Sequence, residues 1–471
     1  MARSFENDMR INRFLKMFAL TVLCVGFANC GGGGSSGLPG GNPPPTGTPS
    51  PVTVNWNTPE QTIDGFGGAA ADFTSALPNN LADFFFTTSS GIGLSILRTQ
   101  IMPDLADCQA LATNAGAPTS YCITVASGAT SLTGEPLVAQ QAVARGITYV
   151  WSSSWSPPSS MKSNGVFYQG GNFIGTPSNY TAYAAALASY PAFMAGYGVP
   201  IHAISPQNEP DISQTYPSAL WTAQQFHDFI PYLYSALQTA GSGSVQIGFP
   251  ENSAWSSNYD GFAATAMNDP SVATDVGIMA QHGYAGDTNI VPVSTYGKHL
   301  WITEDSSQSS TYDGSMTDAL SWARIIHNYL TVANANAFVW WFLSDMPGNG
   351  NGTDNAALTD INGNIPLRAY VTGNWSKFVR PGWNRVGVTN NGPLLVSAFE
   401  GPTGGTAIVV VNTGAGVNNQ VFNVSTTMGT SVVPWVTSST QNLQSQANVS
   451  VSSGSFTYTI PANSVVTFAG I

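Results

Sequence analysis

The chain has 471 residues, a formal net charge of -12, 8% charged residues and 11% aromatic residues. That length holds one large domain and a small one, and the apolar content suffices for a sizeable core. The acidic balance leaves no basic patch for nucleic acid, and its long-range field disfavours polyanions, so a neutral polymer suits it better than a phosphorylated one.

The chain opens with Arg3, Arg10, Arg13 and Lys16, followed by an apolar run from Met17 to Ala28. This is the layout of an export signal, and the run is too short to span a bilayer. Cys30 follows, ahead of a Gly-Ser-Pro tract ending at Pro51. The arrangement resembles a bacterial lipoprotein signal, which leaves two outcomes open: lipidation of Cys30, or a segment that is simply cleaved or retained. Either way the expected location is extracellular or cell-surface, with membrane contact only through such an anchor. The tract buries nothing and reads as a tether. Cys108 and Cys122 sit close together in a Gly, Ala and Thr-rich stretch, which fits a local disulfide in an exported protein. No neighbouring His or Cys gives them metal-ligand spacing.

From Val52 the chain folds. Val52-Thr-Val-Asn-Trp56 alternates like a strand. A recurring unit of short apolar strand, loop and helical stretch then predicts strands at Gly67 to Phe73, Leu94 to Ile101, Ile147 to Trp155, Ile201 to Ser205, Val245 to Pro250, Gly277 to Tyr284, His299 to Thr303 and Ala337 to Leu343. Helices are expected at Asn179 to Met194, Thr222 to Ala240 and Thr317 to Ala333. Eight such repeats argue for an α/β fold of the closed (β/α)8 TIM barrel type. An open doubly wound sheet is disfavoured, because no Gly-x-Gly-x-x-Gly turn follows the first strand.

Beyond Pro381 the texture changes to short alternating strands: Leu394 to Phe399, Ala407 to Asn412, Val421 to Ser425, Val432 to Thr437, Ser455 to Ile460 and Ser464 to Phe468. These predict a fused antiparallel β-sandwich side domain, which the N-terminal strand is expected to join. Bracing of the barrel is the simpler role for it, and glycan binding the alternative. The expected layout is residues 1–30 as signal, 31–51 as linker, 52–63 as the side domain's first strand, 64–385 as barrel and 386–471 as the rest of the side domain.

Two of the predicted strands deliver a glutamate at their carboxyl ends. Glu209 lies in the Asn208-Glu209-Pro210 corner after the fourth, and Glu304 ends the seventh. Cleaving a glycosidic bond needs a proton donor for the leaving oxygen and a carboxylate facing the anomeric carbon. From opposite sides of a barrel mouth, the two side chains can approach to about 5 to 5.5 Å, the spacing of a retaining mechanism. Glu251 is the rival, because it too follows an apolar strand. Capping of a helix or pairing with Arg is the simpler reading of any isolated strand-end carboxylate. Aromatic residues gather at the same ends: Trp151, Trp155, His282, Tyr284, Trp301, Trp340 and Trp341, of which Trp155 and Trp341 are the two expected at the mouth.

The motifs Thr62-Ile-Asp-Gly-Phe-Gly-Gly68, Leu94-Ser-Ile-Leu-Arg98, Trp155-Ser-Pro-Pro158, Gln207-Asn-Glu-Pro-Asp211, Trp301-Ile-Thr-Glu304, Trp340-Trp341 and Phe378-Val-Arg-Pro-Gly-Trp383 together resemble glycoside hydrolase family 30. Val436-Thr-Ser-Ser-Thr-Gln-Asn-Leu443 is similar to its bacterial glucuronoxylanase branch. The resemblance implies retaining hydrolysis on a barrel with a β side domain, without metal or organic cofactor. It makes Glu209 the acid/base and Glu304 the nucleophile. It also has Asn208 hydrogen-bond the sugar 2-hydroxyl, Arg98 steady the nucleophile, and Trp155, His282, Tyr284 and Trp341 line the sugar site, with Glu251 in support.

One departure from that branch bears on substrate. Its Trp-Trp pair runs into Tyr and Arg residues that grip the uronic acid of xylan, whereas here the chain continues Phe342-Leu343-Ser344-Asp345. Asp305-Ser306-Ser307 likewise replaces a Tyr expected after the nucleophile. The expectation is therefore a monomeric endo-β-1,4-xylanase that acts on xylan without depending on glucuronic acid branches. An endo-β-1,6-glucanase or a glucosylceramidase-like β-glycosidase is the alternative within enzymes. A noncatalytic glycan-binding protein is the alternative of another class, and it has no need of an acid and nucleophile pair.

Overall fold

The computed structural model describes residues 49–101, 134–286, 289–346 and 355–470. The signal segment, Cys30 and the Cys108 and Cys122 pair lie outside the described residues.

Strand β1 (Val52–Ile63) leads directly into β2 (Gly65–Ala69), the first of eight barrel strands. The others are β3 (Ile96–Ile101), β4 (Tyr149–Ser154), β5 (Ala203–Ser205), β6 (Gln246–Asn252), β7 (Ile278–His282), β8 (His299–Asp305) and β9 (Ala337–Trp340). All neighbours run parallel, and pairing of Gly65 with Ala337 through Gly68 with Trp340 closes the barrel. Each predicted strand overlaps one of these eight.

The crossovers carry α1 (Asn79–Phe86), α2 (Glu135–Val143), α3 (Pro177–Ala195), α4 (Ala223–Thr239), α5 (Tyr259–Met267), the short α6 (Pro270–Ala273) and α7 (Met316–Thr331), and α8 (Leu367–Ser376) follows β9. Local chemistry sets the helix starts. Thr222 and Gln225 form a reciprocal capping box on α4, and the Ser315 hydroxyl accepts from the Asp318 amide on α7. Among the described residues no helix links β7 to β8, a departure from the regular alternation expected. No helix among them is long and apolar enough to cross a membrane.

The barrel interior is filled by Ile96, Trp151, Ala203, Ile278, Ala280, Trp301, Ala337 and Val339. The rings of Trp151 and Trp301 lie 5.4 Å apart, and small residues opposite make room for them. Gly248 is obligatory here, since a Cβ would stand 2.0 Å from the Trp151 ring. Trp151, Trp301 and Trp340, which are not expected at the mouth, are core residues. The first two fill the barrel, and Trp340 packs outward on Trp322 while its N–H donates to the Thr372 hydroxyl.

The side domain is one curled ten-stranded sheet. Its remaining strands are β10 (Trp383–Thr389), β11 (Leu395–Glu400), β12 (Thr406–Asn412), β13 (Val417–Asn423), β14 (Ser431–Ser438), β15 (Gln441–Ser445), β16 (Val449–Ser450), β17 (Ser455–Ile460) and β18 (Ser464–Gly470). β1 pairs antiparallel with β10 and parallel with β13, so the strand that precedes the barrel joins the strands that follow it in one sheet. Curling brings Val432 and Val436 of β14 into one core with Phe422, Phe456 and Phe468. The other face packs on the barrel helices: Asn374 and Trp375 of α8 hydrogen-bond Thr437, Thr467 and Ser397. Both faces of β12 are consequently buried, as bracing of the barrel requires.

Candidate active site

The inward side chains at the carboxyl ends of β3 to β9 converge at the mouth. Arg98 of β3 is at the centre and has no exposed surface. Its Nη1 donates to Glu304 Oε2 at 2.7 Å, and its Nη2 to Asn208 Oδ1 at 2.5 Å and Glu251 Oε1 at 3.4 Å. The guanidinium lies over the Trp155 ring, 4.6 Å from its centroid, and Trp341 stands 6.0 Å from Trp155, ring to ring. A planar cation resting against aromatic rings on one side keeps its N–H groups directed at the carboxylates.

Two of the three carboxylates arrive by ladder irregularities. Pairing slips between Pro250 and Asn252 on β6 and between Ile302 and Asp305 on β8, and each slip turns the intervening glutamate inward. Glu251 and Glu209 both have left-handed backbone, with φ of 54° and 49°. That conformation costs a non-glycine residue about 1–3 kcal/mol. Cross-links hold it: the Glu209 amide donates to the Glu251 carbonyl at 3.0 Å and the Asn208 amide to the Ser154 carbonyl at 2.7 Å.

The surroundings of Glu209 and Glu304 differ. Glu304 accepts from Arg98 on one oxygen and from the Tyr284 hydroxyl, at 2.8 Å, on the other. Glu209 accepts from the Tyr216 hydroxyl at 2.5 Å, and His282 Nδ1 lies 3.3 Å from it. His282, fully buried, spans the gap, its Nε2 3.7 Å from Glu304. Carboxylate oxygens of Glu209 and Glu304 fall within 4.8 Å of each other.

Burial works against a charge on His282, but Glu304, Glu209 and Glu251 outweigh it and push the imidazole up to about 10. Burial likewise opposes the charge on Glu251, yet Arg98 and His282 hold that carboxyl down at about 2. Glu209, His282 and Glu304 are the grouping with metal-ligand spacing among the described residues.

Every residue assigned to the site from sequence (Arg98, Trp155, Asn208, Glu209, His282, Tyr284, Glu304 and Trp341) lies in this cluster. Arg98 and His282 lie beneath its floor with no exposed surface, and act on the carboxylates. Tyr216 was not anticipated. Its position seven residues after Glu209 is its one mark in the sequence, and nothing there separates it from the other tyrosines.

No family model matches the chain. It is 30% identical over 439 residues to the glucuronoxylanase XynC of Bacillus subtilis strain 168, a match covering 89% of this chain and 91% of that one. The solved family 30 subfamily 8 xylanase Xyn30A of Clostridium acetobutylicum shares 30% identity, with a TM-score of 0.72 over 89% of this chain and 99% of that one. The chain belongs to glycoside hydrolase family 30. A family 30 endoxylanase from Clostridium papyrosolvens C71 gives 30% identity and a TM-score of 0.68 over 89% and 100% of the two chains. This protein is accordingly a family 30 glycoside hydrolase, and its barrel and side sheet are the architecture those structures share.

Proposed function

We propose that the protein is a retaining endo-β-1,4-xylanase in which Glu209 is the acid/base and Glu304 the nucleophile. The observation that carries the assignment is the asymmetry around the two carboxylates. Arg98 at 2.7 Å on one oxygen and the Tyr284 hydroxyl at 2.8 Å on the other fix the orientation of Glu304, as a nucleophile requires. Glu209 instead meets the Tyr216 hydroxyl and the His282 ring, both able to exchange protons, which suits a group that must give up and regain one. The spacing of at most 4.8 Å suits direct attack on the anomeric carbon, with too little room for the intervening water of an inverting enzyme. Asn208 beside Glu209 suits a contact with the 2-hydroxyl, and Trp155 and Trp341 suit packing on sugar.

Xylan is the substrate named for the relatives at 30% identity. The chain from Trp341 to Tyr370 contains one arginine, Arg368, which donates to the Ala357 and Asp313 carbonyls, Asp318 and Asn355. Phe342, Ser306 and Asp345 are all buried. This supports cleavage that does not depend on a uronate branch, because the one guanidinium of that stretch is buried and bound to Asp318, Asn355 and two carbonyls. The export-like start fits a polymer met outside the cytoplasm.

The test is a reducing-sugar assay on linear xylan, arabinoxylan, glucuronoxylan and β-1,6-glucan, with early-time NMR of the product anomer. The expected result is a retained anomer, and cleavage of uncharged xylan at least as fast as of glucuronoxylan. Intact uncharged xylan beside glucuronoxylan oligomers carrying one uronate at a fixed position overturns the branch independence. An inverted anomer overturns the mechanism.

A further inference from the structure

We propose that Glu251 is a positioning residue for hydrolysis: a third, permanently charged carboxylate that holds Arg98 on Glu304 and keeps His282 a cation between the two reacting glutamates. The inference rests on the reading of Glu209 and Glu304 as acid and nucleophile. Hydrolysis needs two carboxylates, yet the mouth buries three. Burying an extra ionised group costs several kcal/mol unless it is paired and hydrogen-bonded, so a fully buried third one calls for an account.

Its contacts supply that account. From β3, Arg98 lies 3.4 Å away; from β4, the Ser153 hydroxyl donates to Oε2 at 2.8 Å; from β7, His282 Nε2 lies 3.9 Å off. Of the other titratable groups packed round this centre, Glu304 comes from β8, Tyr284 follows β7, and Glu209 and Tyr216 follow β5. Asp211, in the loop that carries Glu209, accepts from the Ser253 amide and hydroxyl instead. Arg98 and His282 together carry two positive charges against three negative ones, and the set becomes neutral when Glu209 takes up a proton. Without the Glu251 charge, the two cations face Glu304 with a proton on Glu209 and one positive charge in excess, which favours loss of a proton from His282. The Glu251 carbonyl also accepts the Glu209 amide, so the same residue sets the backbone of the acid/base.

The test is Glu251→Gln, which keeps shape and removes charge, beside Glu251→Asp, which keeps charge. An opposite charge this close moves a titration by about 1–3 pH units. Glu251→Gln should therefore lower the alkaline limb of the kcat profile on linear xylan by about one unit or more, and cut kcat at least about tenfold with KM little changed. Glu251→Asp should restore the position of the limb. The five histidines, labelled with 15N, give a second reading that needs no variant: in the wild type His282 should remain protonated through neutrality.

A wild-type His282 that titrates near the ordinary histidine value overturns the proposal, as does a Glu251→Gln enzyme that loses thermal stability alone and keeps kcat and its alkaline limb. If Glu304→Gln stays active, the reading of the pair fails. A dead Glu304→Gln beside a fully active Glu251→Gln defeats the role of Glu251 alone.

Discussion

The lower barrel and its mouth are built from the same strands, and they differ in how regular the ladder is. Below, alternation is strict: Ile278 and Ala280 of β7 and Trp301 of β8 all belong to the apolar core inside the barrel. A regular ladder places every second side chain inside, where apolar residues pack without unpaired polar groups. Above, pairing slips on β6 and β8, and Glu251 and Glu304 turn inward beside His282. Continuing the parity of Trp301 puts Thr303 inside and Glu304 outside, so the slip itself delivers the carboxylate to the site. Order makes the core, and local breaks in that order make the reaction centre.

If that division holds, changes at the mouth cost activity and changes below it cost stability. Glu304→Gln should show the largest effect, a fall of at least about 10⁴-fold in kcat on both xylan and activated aryl glycosides, because no other group can form the covalent intermediate. Circular dichroism should show the fold intact. Glu209→Gln should cost about 10²–10⁴-fold on xylan, the usual worth of a general acid, and spare the first step with a good leaving group. A phenol burst from the Glu304 variant and none from the Glu209 variant reverses the two roles. Trp301→Ala in the barrel should lower unfolding free energy by about 3–5 kcal/mol in chemical denaturation, since it empties a packed site and leaves Asp64 without the indole N–H that reaches it at 2.6 Å. Its folded fraction should keep a near-normal kcat. A large loss of kcat with little loss of stability in this variant breaks the division.

The regular part of the molecule was legible in the sequence because periodicity encodes it. All eight barrel strands, α3, α4 and α7, and the entry of Val52–Ile63 into the side sheet follow from alternation, helical spacing and turn residues. The connection from β7 to β8, without a helix among the described residues, was marked by Pro292 between Gly286 and Gly297, breakers that periodicity alone passes over. The site residues came from strand-end position and motif order. Periodicity alone misplaces them: Trp151 and Trp301 lie within a few residues of Trp155 and Glu304, and only the three-dimensional register separates core from mouth. Glu251 looked like a rival to Glu304, because a sequence reports that a carboxylate ends a strand without reporting which cation it meets.

Two buried histidines carry the comparison into pH dependence. His282 at the mouth is pushed up to about 10 by its carboxylates. His327 of α7 lies near the seam with the side sheet, where burial first and Arg385 second pull it down to about 4. The signs follow from linkage. His282 binds its proton more tightly folded than unfolded, so its contribution is fully present below the ordinary value near 6.5 and is lost as pH rises towards 10. His327 is neutral when folded and protonates more readily unfolded, so its contribution is present above about 6.5 and is lost as pH falls towards 4. At about 1.4 kcal/mol per unit, that second loss amounts to about 3 kcal/mol. His327→Gln, which keeps a polar group of similar size and cannot titrate, should therefore flatten the fall in unfolding free energy between pH 6.5 and pH 4 while leaving the alkaline side and the kcat profile unchanged. Denaturant midpoints measured at half-unit steps give the slope. An acid limb as steep in the variant as in the wild type places the acid sensitivity elsewhere, and a shifted kcat profile couples the seam to the mouth.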